Sequence, residues 1–436
     1  MNKLLRDGLV LRQATKKDTD AVAKFNGRMH EEPGEEGKII AWTVDLMCGK
    51  HPTTTAEEFL LVETDQREVV SSTCLIPQTW SYDGIEFPVG RPELVATDEK
   101  WRKKGLVREQ FDALHEMSDR NGDLMQVITG IPWYYRQFGY SHALNLGGNR
   151  PFEWPSAGGT PTKLKEEKFS WRQATIEDIP SLQKFFEIHS SNYMLNSLRN
   201  AAIWKFDLAG ISANSINEKT FWLISDQDGA PVGYVGFTHA RSGVQIQEIA
   251  CNPSQSMREF CLYITRTILS FVDQENAKNP KEKQLVRKLL FFLGTDHSAY
   301  HALGRQLGKQ QKPYAWYIRI PDIPEFLRHV RPALEKRLAD SVMTGHTGTH
   351  RITLYREHFA LNFKDGSIIS IDDYDKKQPQ DGDTIFTRPE FIQLICGHRS
   401  FEEINHIHVD CSGNAEAWVL MNILFPKKAS NPMGVN

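Results

Sequence analysis

The pattern of apolar residues changes period repeatedly along the chain, and the clearest change lies at residues 93–122. A short apolar run at 93–97, typical of a strand, is followed by a basic turn at 101–105. Beyond this turn apolar residues recur at helical spacing, at Val107, Phe111, Leu114 and Met117, until Asn121-Gly122 supplies a helix stop. The sequence therefore predicts a strand, a turn and an amphipathic helix that begins after Gly105.

This predicted helix start combines a glycine with four cations. Free N–H groups and the positive end of the helix dipole attract anions, and a glycine lets a large anion approach the main chain. Neither G-x-G-x-x-G nor G-x-x-x-x-G-K-[ST] stands at this turn, which argues against a dinucleotide fold and a P-loop. The segment predicts a pyrophosphate site. Its cations are Arg102, Lys103, Lys104 and Arg108.

A second informative segment follows at residues 124–140. A strand-like run at 124–129 leads into Gly130-Ile131-Pro132 and then an aromatic turn, Tyr135-Arg136-Gln137-Phe138-Gly139-Tyr140. The strand and the Tyr-x-x-Phe-Gly-Tyr pattern lie just beyond the helix that Gly105 begins.

The chain contains an internal duplication. LRQATKKD at 11–18 returns as WRQATIED at 171–178, and each copy predicts a strand, a Thr cap and a helix. The spacing is too long for a solenoid and indicates a duplicated domain. The chain has 436 residues, which suggests about three domains of roughly 150 residues. Residues 155–161 form a predicted linker between the copies.

The two copies differ where an anion would bind. Aligning residues 93–98 with 248–253 puts Met257 opposite Arg102 and Phe260 opposite Gly105. The basic residues are lost, and a bulky side chain stands where the backbone would face a phosphate. We expect the second copy to keep the fold without the cofactor site.

A third unit begins near Asp322. This residue can cap a helix whose apolar stripe is Phe326, Val330, Leu334 and Leu338. Strand-like segments at 351–355, 358–363 and 367–371 and a helix near 388–396 follow.

These motifs resemble a known enzyme family. Residues 102–107 resemble the pyrophosphate loop [QR]-x-x-G-x-[GA] of GCN5-related N-acetyltransferases (GNATs), with Val107 departing at the last position. Together with the Tyr-x-x-Phe-Gly-Tyr segment, the chain is most similar to the enhanced-intracellular-survival (Eis) type. That resemblance implies an α/β (mixed α+β) fold. It implies a catalytic GNAT domain at 1–154, a degenerate GNAT-like domain at 167–320 and a sterol-carrier-protein-like α+β domain at 321–436, for which a structural role is expected.

The resemblance also implies the site. Acetyl-CoA is the expected co-substrate, held by Val95, Ala96 and Thr97 of the strand and by Arg102, Lys103, Lys104, Gly105, Leu106, Val107 and Arg108 of the loop. Tyr135 is the expected general acid, with Tyr134 and Tyr140 as alternatives. The general base is either the C-terminal carboxylate of Asn436 or Glu93. The predicted function is acetyl transfer to the primary amine of a small molecule or peptide, and the alternative is a non-catalytic acyl-CoA or lipid-binding protein.

Composition and charge argue against several classes of protein. The net charge of −3 argues against a nucleic-acid-binding surface, and no run of about 18 apolar residues predicts a membrane span. Six scattered cysteines without C-x-x-C, and the absence of a secretory signal, favour free thiols in the cytoplasm. The pairs His346/His350 and His406/His408 lack a third ligand, so no metal site is expected. The acidic loop at 31–36 could border an amine site or be a solvated loop, and homo-oligomerisation stays open.

Overall fold

The computed structural model describes residues 2–153, 166–240, 243–278, 288–375 and 382–432. The predicted linker at 155–161 lies outside these residues.

The first unit is built on a long central hairpin. Its strands are β1 (Asn2–Leu4), β2 (Val10–Gln13), β3 (Phe59–Glu63), β4 (Val69–Tyr82), β5 (Ile85–Thr97), β6 (Met125–Ile128) and β7 (Ser141–Leu146). Its helices are α1 (Thr19–His30), α2 (Lys38–Met47) and α3 (Leu106–Asn121).

The second unit repeats this plan around its own sheet. Its strands are β8 (Arg150–Pro151), β9 (Ser170–Gln173), β10 (Leu195–Ser197), β11 (Thr220–Ser225), β12 (Pro231–Ala240), β13 (Gly243–Cys251), β14 (Leu289–Phe291) and β15 (Tyr314–Arg319). Its helices are α4 (Ile179–Ser190), α5 (Ala201–Ala209), α6 (Met257–Lys278) and α7 (Ser298–Leu303). In both copies a Thr and an Asp, Thr15/Asp18 and Thr175/Asp178, form the capping box that precedes the first helix.

The third unit is an α+β layer. It comprises α8 (Ile323–His329), α9 (Arg331–Ala339), β16 (Gly348–Thr353), β17 (His358–Lys364), β18 (Ser367–Asp373), β19 (Thr384–Ile385), α10 (Arg388–Ile395), α11 (Phe401–Ile407), β20 (Ser412–Gly413) and α12 (Ala415–Leu424). Asp322 caps α8 through the backbone N–H of Glu325, as predicted. The apolar stripe is split between α8 and α9, because Pro332 starts a new helix after Val330.

Two strands of the second unit, β10 and β15, pair with strands of the first sheet. Among the described residues the first sheet has the order β1-β2-β3-β4-β5-β6-β15-β7, with β10 added beside β4. The second has the order β8-β14-β13-β12-β11-β9. β15 therefore lies between β6 and β7 of the first sheet, and β8 pairs with β14 of the second. The domain boundaries at 1–154, 167–320 and 321–436 stay predictions, and the sheets themselves do not divide at those residues.

All three sheets are mixed. Parallel pairs occur between β5 and β6, between β13 and β14, and between β16 and β19, and the remaining neighbours are antiparallel. Helices flank these sheets, so the prediction of a mixed α/β fold is confirmed. The third unit shares one apolar core with the far end of the first sheet, where the Phe87 and Phe326 rings are 5.4 Å apart.

Candidate active site

The turn before α3 leaves backbone donors free. Gly105 has φ 81° and stands at the N-cap, so the helix begins where the sequence predicts, and Gly122 with φ 75° ends it. Within the described residues the first N–H groups to find partners are those of Arg108 and Glu109, which donate to the Gly105 carbonyl at 3.0 and 3.2 Å. In the described part of the chain the N–H groups of Leu106 and Val107 have no partner, and a Cβ on Gly105 would meet nothing within 4 Å. This open helix start fits an anion.

The predicted cations surround this turn on the surface. Arg102, Lys103 and Lys104 are exposed. Lys104 Nζ is 2.6 Å from Asp7 Oδ2, and Arg108 Nη2 donates to Gln137 Oε1 at 2.8 Å. Exposed pairs of this kind are weak, so these side chains can turn toward a bound phosphate at little cost.

The strands beside this turn diverge. β5 pairs with β6 only at Val89↔Met125 and Gly90↔Gln126, and β5 then runs on to Thr97. In the described part of the chain no strand pairs with residues 91–97 on the β6 side. The predicted residues Val95, Ala96 and Thr97 thus line a cleft whose open backbone edge can accept an extended ligand.

β5 also carries a bulge at the cleft. Ser72 pairs with Ala96 but Cys74 pairs with Glu93, so β5 holds one extra residue there. Leu94, inside the bulge, has φ 52°, which is strained for a residue with a branched side chain. Bulges of this kind turn groups out of a strand and are common next to active sites.

The predicted acid, Tyr135, comes shortly after β6, the strand that diverges from β5. It lies in a 3-10 helix, Tyr134–Phe138, and the loop before it is held by β15. The Tyr317 hydroxyl accepts from the Trp133 N–H at 3.1 Å, and the Tyr314 hydroxyl donates to the Gly130 carbonyl. Burial and, secondly, the charge of Glu93 raise the pKa of Tyr135 well above its ordinary value. Its hydroxyl therefore stays protonated at neutral pH.

The two alternative tyrosines are placed differently. The Tyr140 hydroxyl lies 3.2 Å from His115 Nε2 in a buried position. Tyr134 is half-buried beside Arg108, which slightly offsets the rise that burial causes in its pKa. Of these three tyrosines, only Tyr135 has a pKa that is raised by the charge of Glu93.

Glu93 is held by a neighbouring arginine. Arg91 donates to Glu93 Oε2 from Nε at 2.9 Å and from Nη2 at 2.6 Å, and its guanidinium lies 5.3 Å from the Trp316 ring of β15. Both side chains are largely buried. The carboxylate that the sequence proposes as a base is therefore engaged through one of its oxygens.

Comparison with known proteins identifies this unit. Residues 10–143 match the model of the acetyltransferase (GNAT) domain. The first unit is a GNAT-type acyltransferase domain. None of the curated protein sequences matches the chain significantly.

Solved structures resemble the whole chain. A conserved protein of unknown function from Enterococcus faecalis V583, described as a probable N-acyltransferase, has a TM-score of 0.69 at 11% identity, covering 98% of this chain and 100% of that one. A GCN5-related N-acetyltransferase from Kribbella flavida gives 0.65 at 15% identity, covering 98% of each chain. Eis1 from Mycobacterium abscessus gives 0.58 at 11% identity, covering 98% and 99%. At these identities the likeness shows a shared fold.

One buried polar atom near the Leu94 bulge matches none of the sequence predictions. His30 ends α1, and the Leu94 backbone hydrogen-bonds its imidazole. Its Nε2 is buried and has no partner among the described residues. A lone histidine at a helix end matches no motif. The duplication gives the one sequence signal for this histidine. At the offset of the two copies, Ser190 takes the position that His30 has in the first copy.

Two of the four glutamates in the acidic loop make local contacts. Glu31 Oε1 accepts from the N–H groups of Ile39 and Ile40 at 3.0 and 3.2 Å and so caps α2. Glu36 Oε1 accepts from the Gly34 N–H at 2.7 Å. Glu31 is therefore occupied in holding α2 beside the cleft.

Residues 429 and 431 hydrogen-bond with residues 194 and 195. Ala429 accepts from the Met194 N–H at 2.7 Å, and the Asn431 N–H donates to the Leu195 carbonyl at 2.9 Å, so these tail residues follow β10. Asn436 lies outside the described residues, and its role as a base stays a prediction.

The equivalent cleft of the second unit is filled. Arg199 is fully buried against Phe186 and Trp204 and pairs with Asp207 at 3.0 Å and with Glu248, the counterpart of Glu93. Although burial opposes it, Arg199 and Lys219 lower the pKa of Glu248 to about 2. Phe260, the counterpart of Gly105, is buried in the core of this unit. The remaining cavity of about 20 Å³ holds roughly one water.

Within the described ranges no three His, Cys, Asp or Glu residues come together in a way that could hold a metal ion. In the same ranges no helix is long and apolar enough to span a membrane. All six cysteines are unpaired, and five of them are buried.

Proposed function

We propose that this protein is an acetyl-CoA-dependent N-acetyltransferase that acts through its first unit. The observation that carries the proposal is the open cleft between β5 and β6, which leads directly to the free N–H groups at the start of α3. A pyrophosphate at Gly105 and a pantetheine arm along 95–97 would place the thioester near the Leu94 bulge. Tyr135 and Glu93 lie beside that point.

The reaction needs a proton donor and a proton acceptor. A primary amine such as that of lysine, with a pKa of about 10.4, arrives protonated and must lose a proton before it attacks. Tyr135 would donate its proton or a hydrogen bond to the departing sulfur. Glu93 and the Asn436 carboxylate are the bases that the sequence proposes.

The other two units would support this site in an Eis-like arrangement. The filled cleft of the second unit supports a degenerate, non-catalytic copy. The continuous core between the third unit and the first sheet supports a structural role for a sterol-carrier-like domain. Six unpaired cysteines support a reducing, cytoplasmic compartment.

A screen of primary amines for CoA release from acetyl-CoA tests the proposal, with Gly105→Glu as the diagnostic variant. The glutamate would put a negative charge into the phosphate site, so calorimetry should detect no acetyl-CoA binding. Gly105→Ala is the matched control, since it carries the same strain at φ 81° without the charge and should retain binding.

The screen also separates the two candidate functions. Acetyl-CoA binding without CoA release for any amine would favour the non-catalytic binding protein. Unchanged affinity in Gly105→Glu would refute the assignment of the loop. One CoA should bind per chain, and a second molecule near Phe260 would contradict the degenerate second copy.

A further inference from the structure

We propose that the imidazole of His30 is the group that removes the proton from the acceptor amine. This inference rests on the proposed function and names its general base, in place of Glu93 or the C-terminal carboxylate. The contacts of His30 supply the argument.

The position of His30 brings it to the reacting end of the cleft. It is the last residue of α1, and the bulge that strains Leu94 presents the Leu94 backbone to the imidazole. The Glu93 charge acts on both His30 and Tyr135. His30 is joined to the bulge by its contact with Leu94, and the thioester is expected beside that bulge.

The hydrogen bond to Leu94 determines which nitrogen is available. Nε2 has no partner among the described residues, so Nδ1 is the nitrogen that contacts the backbone. Donation from Nδ1 to a carbonyl fixes the tautomer and leaves a lone pair on Nε2. Burial lowers the pKa of His30 below 6.5, and the Glu93 charge partly offsets this effect. At pH 7 the imidazole is neutral and Nε2 can accept a proton.

Unsatisfied polar atoms nearby indicate a polar ligand. Asn26 lies one turn before His30 on α1, and its Oδ1 is buried without a partner in the described part of the chain. The Nε1 of Trp42, from α2 in the same apolar cluster as Leu94, is buried and likewise unpartnered there. Buried polar atoms normally have partners, so these three unpartnered atoms on α1 and α2 suit a polar ligand.

The acetyl transfer involves two proton transfers from the acceptor nitrogen. The ammonium gives one proton to His30 Nε2, and the neutral amine attacks the thioester carbonyl carbon. The C–N bond forms as the C–S bond breaks, the second nitrogen proton passes to the CoA sulfur through the Tyr135 hydroxyl, and imidazolium releases its proton to solvent. Glu93 on β5 is the charged group that stabilises the imidazolium. On the helix side, Arg28 pairs with Asp98 at 3.0 Å, and Glu31 caps α2.

The test compares two acceptors in His30→Gln. Butylamine is protonated at pH 7.5 and needs a base, whereas hydroxylamine is mostly neutral and does not. We expect His30→Gln to lower kcat with butylamine by about 10²-fold or more and to change kcat with hydroxylamine far less. The acidic limb of the wild-type pH profile, expected below pH 6.5, should disappear. Acetyl-CoA affinity should be unchanged.

Controls make each outcome decisive. His301→Gln, on the exposed surface of α7, should behave as wild type. His30→Asn, which can keep the contact to Leu94, replaces His30→Gln if the latter melts at a much lower temperature. Equal losses with both amines would assign His30 a structural role and overturn the inference. A wild-type rate in His30→Gln would overturn it while leaving the proposed function intact, and a wild type that acetylates no amine would refute both.

Discussion

Replacing Tyr135 with phenylalanine should separate catalysis from stability. The Tyr135 ring packs 5.6 Å from the Phe111 ring and is 5% exposed, and phenylalanine keeps that packing. Its hydroxyl makes no hydrogen bond with any described residue. Removing it therefore leaves no partner unsatisfied, and we expect the free energy of unfolding to change by less than about 1 kcal/mol.

Turnover should respond quite differently. A hydroxyl that donates to the departing sulfur contributes about 10²-fold, which corresponds to about 2.7 kcal/mol of activation free energy. We expect kcat to fall by that factor, with acetyl-CoA affinity nearly intact. Thermal melting, calorimetry with acetyl-CoA and steady-state CoA release measure the three quantities on one preparation.

Tyr140→Phe is the matched comparison within the same turn. It removes a hydroxyl that lies 3.2 Å from His115 Nε2, so it should cost stability, about 1 kcal/mol, and leave turnover almost unchanged. A wild-type rate in Tyr135→Phe would refute the role of its hydroxyl. A large loss confined to Tyr140→Phe or Tyr134→Phe would move that role to the other tyrosine.

Three further predictions concern the rest of the chain. Burial raises the pKa of Asp123 from 3.8 to about 6, so the free energy of unfolding should fall by about 3 kcal/mol as pH rises through this window. Asp123→Asn should therefore raise the melting temperature at pH 8 but not at pH 4. An equal shift at both pH values would refute this prediction. A fragment of residues 1–154 lacks β15 and should show no cooperative melt, in contrast to the full chain. Deleting Val435 and Asn436 should preserve turnover if His30 is the base; a loss with normal acetyl-CoA binding would implicate the C-terminal carboxylate.

Local features of the site could be predicted because local chemistry determines them. The helix α3 begins after Gly105 and ends before Gly122 as expected, since a positive φ at a helix end favours glycine. The Asp322 cap likewise depends on residues within one turn. The duplicated segments at 11–18 and 171–178 fold alike, because each carries the same Thr–Asp capping box.

Non-local features could not be predicted, because they depend on residues that are far apart in the sequence. The apolar pattern of residues 314–319 indicates a strand but not its neighbours, and only the fold inserts β15 between β6 and β7. His30 matches no motif, since its importance comes from a bulge more than 60 positions later in the sequence. The contact of Arg91 with Glu93 joins side chains two residues apart on β5, and no motif in the sequence indicates it.

The late position of β15 has a consequence for synthesis on the ribosome. β6 and β7 cannot pair with it until Arg319 has been made, roughly 170 residues after β7 is complete. At 5–20 residues per second, that delay is on the order of 10 to 30 seconds. During this time the nascent chain presents two unpaired strand edges and the aromatic loop that β15 will hold, and such edges readily pair with other chains. We therefore expect the growing chain to be a client of ribosome-associated chaperones until the second unit has emerged.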